Sequence, residues 1–237
     1  MNHFCRRCPD MTRYQDIKEE LIAIRELRDT PSGTLRITTT EHAADTVLWP
    51  RIGIFMQKYP DIHIEISIDY GLSDIVAERF DMGIRLGDEV AKDMIAVRIG
   101  PDIRFCAVAS PDYLSARKRP YFPQALVQHR CINFRLLTYG GMYAWELSRE
   151  KEAVRIRVDG QLTVNGLYQA LTATRAGLGI GFIPYDVAQE SLADGTLVAV
   201  LEEWMPTFPG FHLYYPDRQK SRAASLLIEA LRFSGTE

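Results

Sequence analysis

From Gly33 onward, segments with the periodicity of a β-strand alternate with segments that have the periodicity of an α-helix. Residues 62–68 place isoleucine at every second position, and residues 48–59 place apolar side chains at helical steps. Strands that alternate with helices favour an α/β fold with a mainly parallel sheet, whose ligands bind at the carboxyl ends of the strands. This first series predicts strands at 35–39, 62–68, 82–86, 95–99 and 105–109, and helices at 48–59 and 73–79.

A second series of the same kind follows Ser110. It predicts strands at 131–134, 145–147, 154–158, 161–164 and 180–183, a helix at 167–176, and then a last strand at 211–215 and a last helix at 222–232. The 237 residues are enough for two lobes of roughly 100 residues, each with its own core. We therefore expect a second α/β lobe.

The amino-terminal segment has a narrow apolar seam, which is typical of an amphipathic helix that pairs with a second helix. Pro31 ends this helix, because proline lacks an N–H and disfavours helix in the residue before it. The seam residues are Tyr14, Ile17, Leu21, Ile24 and Leu27.

Composition excludes several classes of protein. The net charge of −3 gives no overall attraction to nucleic acid. No stretch approaches the roughly 18 consecutive apolar residues that a membrane span needs, so we expect no membrane contact. Arg6 and Arg7 are followed by no apolar segment, so we expect no secretory signal peptide and a cytoplasmic location.

Metal and cofactor motifs are incomplete. Cys5 and Cys8, with His3 beside them, have the spacing of half a zinc site, but no second pair follows at the usual distance, so we expect no metal. The glycines of 177–181 follow a predicted helix and precede a strand, the reverse of a dinucleotide-binding motif, so we expect a helix cap and no cofactor. Cys106 and Cys131 lie in apolar segments and are expected to be buried.

Motifs of the common hydrolases are also absent, and we expect no enzymatic activity. Glu41 and His42 are neighbours in a predicted helix, where adjacent side chains point in different directions and cannot act as an acid and base pair. Their position is more informative, because they follow Thr38–Thr40 at a helix amino terminus, where free N–H groups favour a carboxylate or another polar group. Helix capping by threonine is the structural alternative.

The order and spacing of several motifs resemble the regulatory part of the LysR-type transcriptional regulators, from the amino-terminal helix to the end of the chain. Each motif is weak alone, but their shared order makes a specific signal. The segments that carry the resemblance are 33–37, Pro50 with Phe55, 59–60, 74–85, 109–114, 176–184 and 195–198.

This resemblance implies a two-lobed fold like the type 2 periplasmic binding proteins, preceded by a linker helix. Residues 1–30 would form a tail and the dimerisation helix, 33–105 with 211–237 the first lobe, and 106–210 the second lobe. Family members begin with a winged helix-turn-helix of roughly 60 residues, which residues 1–10 cannot form. We therefore expect a fragment or a naturally shortened protein, which contacts DNA only through a winged helix-turn-helix that this chain lacks.

The resemblance also implies effector contacts at the turns that face the cleft between the lobes. Arg85 could bind a carboxylate, or it could form a surface ion pair with Asp81 or Asp88. Asn165 could contact ligand or cap the helix that follows it. The implied effector-binding residues are Thr39, Thr40, Glu41, His42, Leu72, Ser73, Arg85, Gly87, Phe134, Arg135, Asn165 and Gly166.

The expected function is therefore that of an effector-sensing regulatory domain. A small metabolite binds in the cleft and changes the geometry of a homodimer or homotetramer. Arg85, Arg135 and the threonine turn suggest that the effector is anionic or polar. The alternative is a solute-binding protein of a transport system, which shares this fold, but the missing signal peptide and the amino-terminal seam argue against it.

Overall fold

The computed structural model describes residues 31–71, 75–87, 94–135, 141–216 and 221–235. The predicted linker helix, at residues 11–29, and the pair formed by Cys5 and Cys8 lie outside these ranges. None of the helices within them is long and apolar enough to cross a membrane.

The strands are β1 Gly33–Thr39, β2 Ile62–Ile68, β3 Met82–Leu86, β4 Met94–Arg98, β5 Ile103–Ala109, β6 Asn133–Phe134, β7 Trp145–Arg149, β8 Glu152–Ile156, β9 Thr163–Val164, β10 Gly181–Pro184, β11 Val198–Val200, β12 Thr207–Phe208 and β13 Phe211–Pro216. The helices are α1 at residues 41–58, α2 Pro111–Ser115, α3 Leu167–Arg175, α4 Tyr185–Ala193 and α5 Arg222–Leu231, with short 3₁₀ helices at Pro123–Gln128 and Glu202–Trp204.

The first lobe is built on a five-stranded sheet of order β2-β1-β3-β13-β4. Strands β2 and β3 both pair in parallel with β1, whereas β13 runs antiparallel to β3 and β4. Helices α1 and α5 pack against this sheet through an apolar core that includes the fully buried Ile37, Leu48, Leu213 and Leu227. The alternating sequence of the first series therefore forms the parallel βα unit that it predicts.

The second lobe surrounds β5, which lies between β10 and β11 and is antiparallel to both. Alternate residues of β5 belong to two different cores. Cys106 and Val108 pack against α3 and α4. Ala107 and Ala109 belong to the core that contains the antiparallel β7–β8 hairpin. A strand that is buried on both faces has a continuous apolar sequence, and residues 105–109 have one.

Two adjacent chain passages connect the lobes. One leads from β4 to β5 and the other from β12 to β13, and the Ile99 N–H donates to the Phe211 carbonyl at 2.9 Å where they meet. Gly210 lies against the backbone of Gly100 and Pro101, where a side chain would overlap the carbonyl groups. This pair of crossing segments agrees with the two-lobed fold that the resemblance implies.

The strands predicted from sequence are present, with ends that differ by at most two residues. Three predictions about the fold need correction. The described strands do not form a mainly parallel sheet: the first-lobe sheet has two parallel and two antiparallel pairs, and every described partner of β5 in the second lobe is antiparallel, although β6 and β9 pair in parallel. Helix α1 begins seven residues before the predicted position, because residues 44–48 form a π-helical turn that breaks the regular spacing.

The third correction concerns the helix predicted at 73–79. Its described part, residues 75–79, forms turns, and Arg79 has a left-handed φ of 60°. The Arg36 guanidinium donates to the carbonyls of Glu78 and Arg79 at 3.3 and 2.9 Å. These carbonyls are therefore satisfied by a side chain of β1 instead of by the N–H groups of a longer helix.

Candidate functional site

The amino terminus of α1 lies at the carboxyl end of β1, where the sequence predicts a binding turn. Thr40 caps the helix, since its Oγ1 accepts from the Ala43 N–H at 3.3 Å. Thr38 and Thr39 are fully buried, and the Thr39 hydroxyl donates to the Thr40 carbonyl at 3.2 Å. The capping interpretation is therefore correct for Thr40, and it leaves Glu41 and His42 as the side chains that face the second lobe.

His42 contacts the second lobe directly. Its Nε2 lies 2.7 Å from Oδ2 of Asp186, in the first turn of α4, and the imidazole is 5% exposed with its ring packed edge-on against Phe211. Burial acts to raise the pKa of Asp186, but the hydrogen bond and the charge of His42 outweigh it and hold the pKa below its usual value. This pair is a polar contact between the two lobes.

Tyr70 forms a second contact between the lobes. Its hydroxyl donates to Oε2 of Glu41 at 3.2 Å and accepts from the Leu167 N–H at 3.3 Å, at the amino terminus of α3. Its ring packs edge-on against Phe134, with centroids 5.9 Å apart. Burial, with a contribution from Glu41, raises the pKa of Tyr70 to about 12, so the phenol is a neutral donor at ordinary pH.

A third contact joins Tyr168, in the first turn of α3, to Asp45 in the π-helical turn of α1. The Tyr168 hydroxyl donates to Oδ2 of Asp45 at 2.6 Å. Burial and this hydrogen bond raise the pKa of Tyr168 above its usual value. Three carboxylates, those of Glu41, Asp45 and Asp186, thus accept hydrogen bonds at the place where the lobes meet.

The amino terminus of α3 has no side-chain cap. Gly166 occupies the cap position in an extended conformation, with φ −115° and ψ 138°, and makes no capping hydrogen bond. Asn165 is exposed one residue earlier, so the prediction that Asn165 caps this helix is wrong. The Tyr70 hydroxyl instead accepts a hydrogen bond from the first N–H of the helix, that of Leu167.

Arg85 is 1% exposed and lies behind the loop that carries Tyr70. Its guanidinium donates to the carbonyls of Ile84 at 2.8 Å and Gly71 at 2.6 Å, and to the Thr38 hydroxyl at 3.3 Å. The alternative of a surface ion pair with Asp81 is therefore wrong, and that carboxylate accepts from the Arg36 N–H. Asp88 lies outside the described residues.

The remaining predicted residues are placed differently. Gly87 lies against His212, whose ring atoms would be 2.6 Å from a Cβ at this position. Arg135 is exposed, and its N–H donates to the Val164 carbonyl at 2.8 Å. Leu72 and Ser73 lie outside the described ranges. The structure thus brings Glu41, His42, Phe134 and Gly166 to the contact between the lobes.

Sequence reasoning missed four residues of this contact: Asp45, Tyr70, Tyr168 and Asp186. Tyr70 follows β2 at its carboxyl end, which is a position where ligand contacts are expected in parallel sheets. That position could have identified Tyr70. Asp186 has no such local signal, because its partner His42 is 144 residues away in the chain.

The other motifs have structural roles. Gly177, with φ +72°, ends α3, and the N–H groups of Gly177 and Leu178 donate to carbonyls of its last turn at 3.0 and 3.1 Å. Cys106 and Cys131 are buried, and burial raises the pKa of each thiol to about 12. The described residues contain no group of three or more histidine, cysteine or acidic side chains that could hold a metal ion.

The chain matches the LysR substrate binding domain family over residues 28–234. It is 48% identical over 223 residues to a putative transcriptional regulator of Pseudomonas aeruginosa, covering 94% of this chain and 73% of the relative. It is 44% identical to the HTH-type transcriptional regulator PgrR of Escherichia coli, covering 93% of this chain and 74% of PgrR.

Solved structures of LysR-type regulators share the fold. The full-length structure of AphB, the Vibrio cholerae virulence activator of the LysR type, superposes with a TM-score of 0.77 at 28% identity and covers 94% of this chain and 74% of AphB. The two-lobed architecture and the sequence matches agree with each other. The chain belongs to the LysR-type transcriptional regulators and carries the effector-binding domain of that family.

Proposed function

We propose that this domain binds a small polar metabolite between its lobes, where Glu41, Tyr70 and the amino terminus of α3 meet. The carboxylates of Glu41, Asp45 and Asp186 at this place and the burial of Arg85 favour a polar effector over an anionic one. The observation that carries this proposal is the double role of the Tyr70 hydroxyl, which donates to Glu41 and accepts from the Leu167 N–H. An effector that enters here must replace both bonds, so it needs a hydrogen-bond donor and an acceptor. The buried Arg85 supports this site from behind by holding the Gly71 carbonyl.

The same contacts supply a mechanism for signal transmission. His42 with Asp186, Tyr168 with Asp45, and Tyr70 with Leu167 each join the lobes by a single hydrogen bond. An effector that binds more tightly when one of these bonds is broken shifts the equilibrium between two lobe arrangements, whereas equal affinity for both would shift nothing. The change in lobe arrangement would alter the geometry of a dimer or tetramer.

The proposal extends to the organisation of the whole protein. In this proposal residues 1–30, which lie outside the described ranges, would be the tail and dimerisation helix, 33–105 with 211–237 the first lobe, and 106–210 the second. The partners are a second copy of the chain and, through a winged helix-turn-helix, DNA. The protein catalyses no reaction and acts in the cytoplasm, because a transcriptional regulator shares the compartment of its DNA. The relatives, which are named as transcriptional regulators, do not support the transport alternative.

A thermal-shift screen against small metabolites tests the effector proposal. A ligand at about 100 times its dissociation constant adds about 2.7 kcal/mol to the free energy of unfolding, which raises the melting temperature by roughly 5–11 °C in a chain of this size. Each hit is then titrated with the Glu41→Gln variant, which removes the charge that Tyr70 contacts. We expect a shift that is strongly reduced in this variant.

Tyr121→Phe is the matched control, because this tyrosine is 68% exposed and lies away from the contacts between the lobes. A ligand whose shift is the same in Glu41→Gln as in the control binds somewhere else, and that result would overturn the proposed location of the site.

A further inference from the structure

The second lobe has a groove on the side of the β7–β8 hairpin that the contacts between the lobes do not use. Its volume is about 340 Å³, and its described lining residues are Met142, Tyr143, Ala144, Arg155 and Arg157. Ligand sites for small molecules typically start at volumes of about 300 Å³, so the groove is large enough for a small metabolite.

The register of the hairpin explains why two arginines share this groove. Trp145 of β7 pairs with Ile156 of β8, and the Trp145 indole is buried and stacked on Phe182 at 5.2 Å. Since successive residues of a strand point to opposite faces, Arg155 of β8 points away from that core, and the exposed Arg157, which follows the strand, lines the same groove. Ala144, whose side chain is small, lies just before β7 and lines the groove beside them.

The charge of the groove is positive. The Arg155 guanidinium is 3.4 Å from the Glu146 carboxylate, but the Arg155 side chain is 70% exposed, so this ion pair is weak. Within the described part of the chain Arg157 makes no ion pair. An anion between the two guanidinium groups would therefore gain charge-assisted hydrogen bonds without breaking a strong contact.

We propose that this groove is a second ligand site, for a small organic anion such as a carboxylate or a phosphate monoester with an apolar part. Arg155 and Arg157 would bind the anionic group, and Met142, which is 43% exposed, with Tyr143 would contact the apolar part. The site is separate from the one between the lobes, and the proposal does not depend on it.

The groove is nevertheless connected to that first site through the backbone. The Tyr143 N–H donates to the Phe134 carbonyl at 2.7 Å, and the Phe134 ring packs against Tyr70. A ligand that contacts Tyr143 therefore lies one backbone hydrogen bond from a residue of the contact between the lobes. A second ligand bound at this position would act on the same contact between the lobes.

Titration of the full chain with phenyl phosphate, followed by NMR or calorimetry at constant ionic strength, tests the proposal. We expect saturable binding of one molecule per chain, weakened about tenfold or more in Arg157→Gln and in Arg155→Gln because each loses a forked donor. Inorganic phosphate should bind more weakly than phenyl phosphate, since it lacks the apolar part.

Lys151→Gln is the matched control, because it removes the same charge at the exposed turn of the same hairpin. Equal weakening in Lys151→Gln and Arg157→Gln would mean general attraction by charge and would overturn the proposal. It would also be overturned by the absence of saturation, by equal binding of the two probes, or by loss of binding in Glu41→Gln with full binding in Arg157→Gln. All variants are at exposed or partly exposed positions, and an unchanged melting temperature verifies their folding.

Discussion

Arg85 is a buried cation whose hydrogen bonds hold three separate pieces of the first lobe. Its guanidinium reaches the end of β1 through Thr38, its own strand through the Ile84 carbonyl, and the loop after β2 through the Gly71 carbonyl. Tyr70, whose hydroxyl contacts the second lobe, is the residue before Gly71. Arg85 therefore positions the loop from which Tyr70 extends.

Arg85→Lys should lower the stability of the protein. A lysine keeps the charge but cannot direct donors to all three oxygens, and a buried carbonyl that loses its partner costs about 1–3 kcal/mol. Chemical denaturation should report a lower free energy of unfolding. Arg104→Lys, at an exposed position, is the control and should change little. Equal stability of Arg85→Lys and the wild type would show that the guanidinium fork is not needed.

At the scale of secondary structure, α1 combines a Thr40 cap, a π-helical turn and a regular helix in one continuous element. The π turn places Asp45 where Tyr168 of the second lobe can donate to it. The apolar residues follow the helical period only from Leu48 onward. The sequence therefore predicted the second half of α1 and missed the first half, which makes the polar contacts with the second lobe.

Two glycines in or next to helices should respond in opposite directions to alanine. Gly53 lies on the exposed face of α1, where a Cβ would meet nothing within 4 Å, so Gly53→Ala should stabilise the protein by about 0.5–1 kcal/mol. Gly181 of β10 lies against Thr174 of α3, where a Cβ would overlap the threonine side chain.

Gly181→Ala should therefore destabilise the protein by about 1–3 kcal/mol through overpacking. Urea denaturation of both variants beside the wild type measures the two effects. A change of the same sign in both would contradict this interpretation of the packing between α3 and β10.

At the scale of the whole molecule, the lobes meet through carboxylates that accept hydrogen bonds from histidine and tyrosine. Such contacts depend on ionisation, unlike the apolar cores inside each lobe. The relative position of the lobes is thus more sensitive to solution conditions than the fold of either lobe.

The contact of His42 with Asp186 should weaken in acid. Because the folded protein lowers the pKa of Asp186, its carboxylate contributes stability above the unfolded pKa of about 3.9, and this contribution is lost as the pH falls through the folded pKa. Asp186→Asn should therefore be less stable than the wild type at neutral pH, with a difference that shrinks below about pH 4. Melting curves between neutral and acidic pH measure it, and a constant difference would contradict the role of this carboxylate.

Most strands and helices could be predicted from the sequence because burial of one face leaves a pattern of apolar residues. These residues recur at every second position in a strand and at every third or fourth position in a helix. Only some of the predicted effector-binding residues lie at the contact between the lobes. The sequence places Glu41 and His42 there, since a helix amino terminus after a parallel strand has a local signature. The interpretations of Arg85 and Asn165 as surface or capping residues failed, because burial and cap position depend on neighbours that are distant in sequence.

The sequence by itself determined the α/β alternation, the motifs that resemble the LysR-type regulators and the turn at which the first lobe meets the second lobe, because each of these patterns lies in residues close together in the chain. Only the tertiary structure decided that Tyr70 joins Glu41 to the amino terminus of α3, and that Asp186 lies beside His42. These contacts link residues that are far apart in the chain, and their partners are chosen by the packing of the lobes, which leaves no periodic pattern in the sequence.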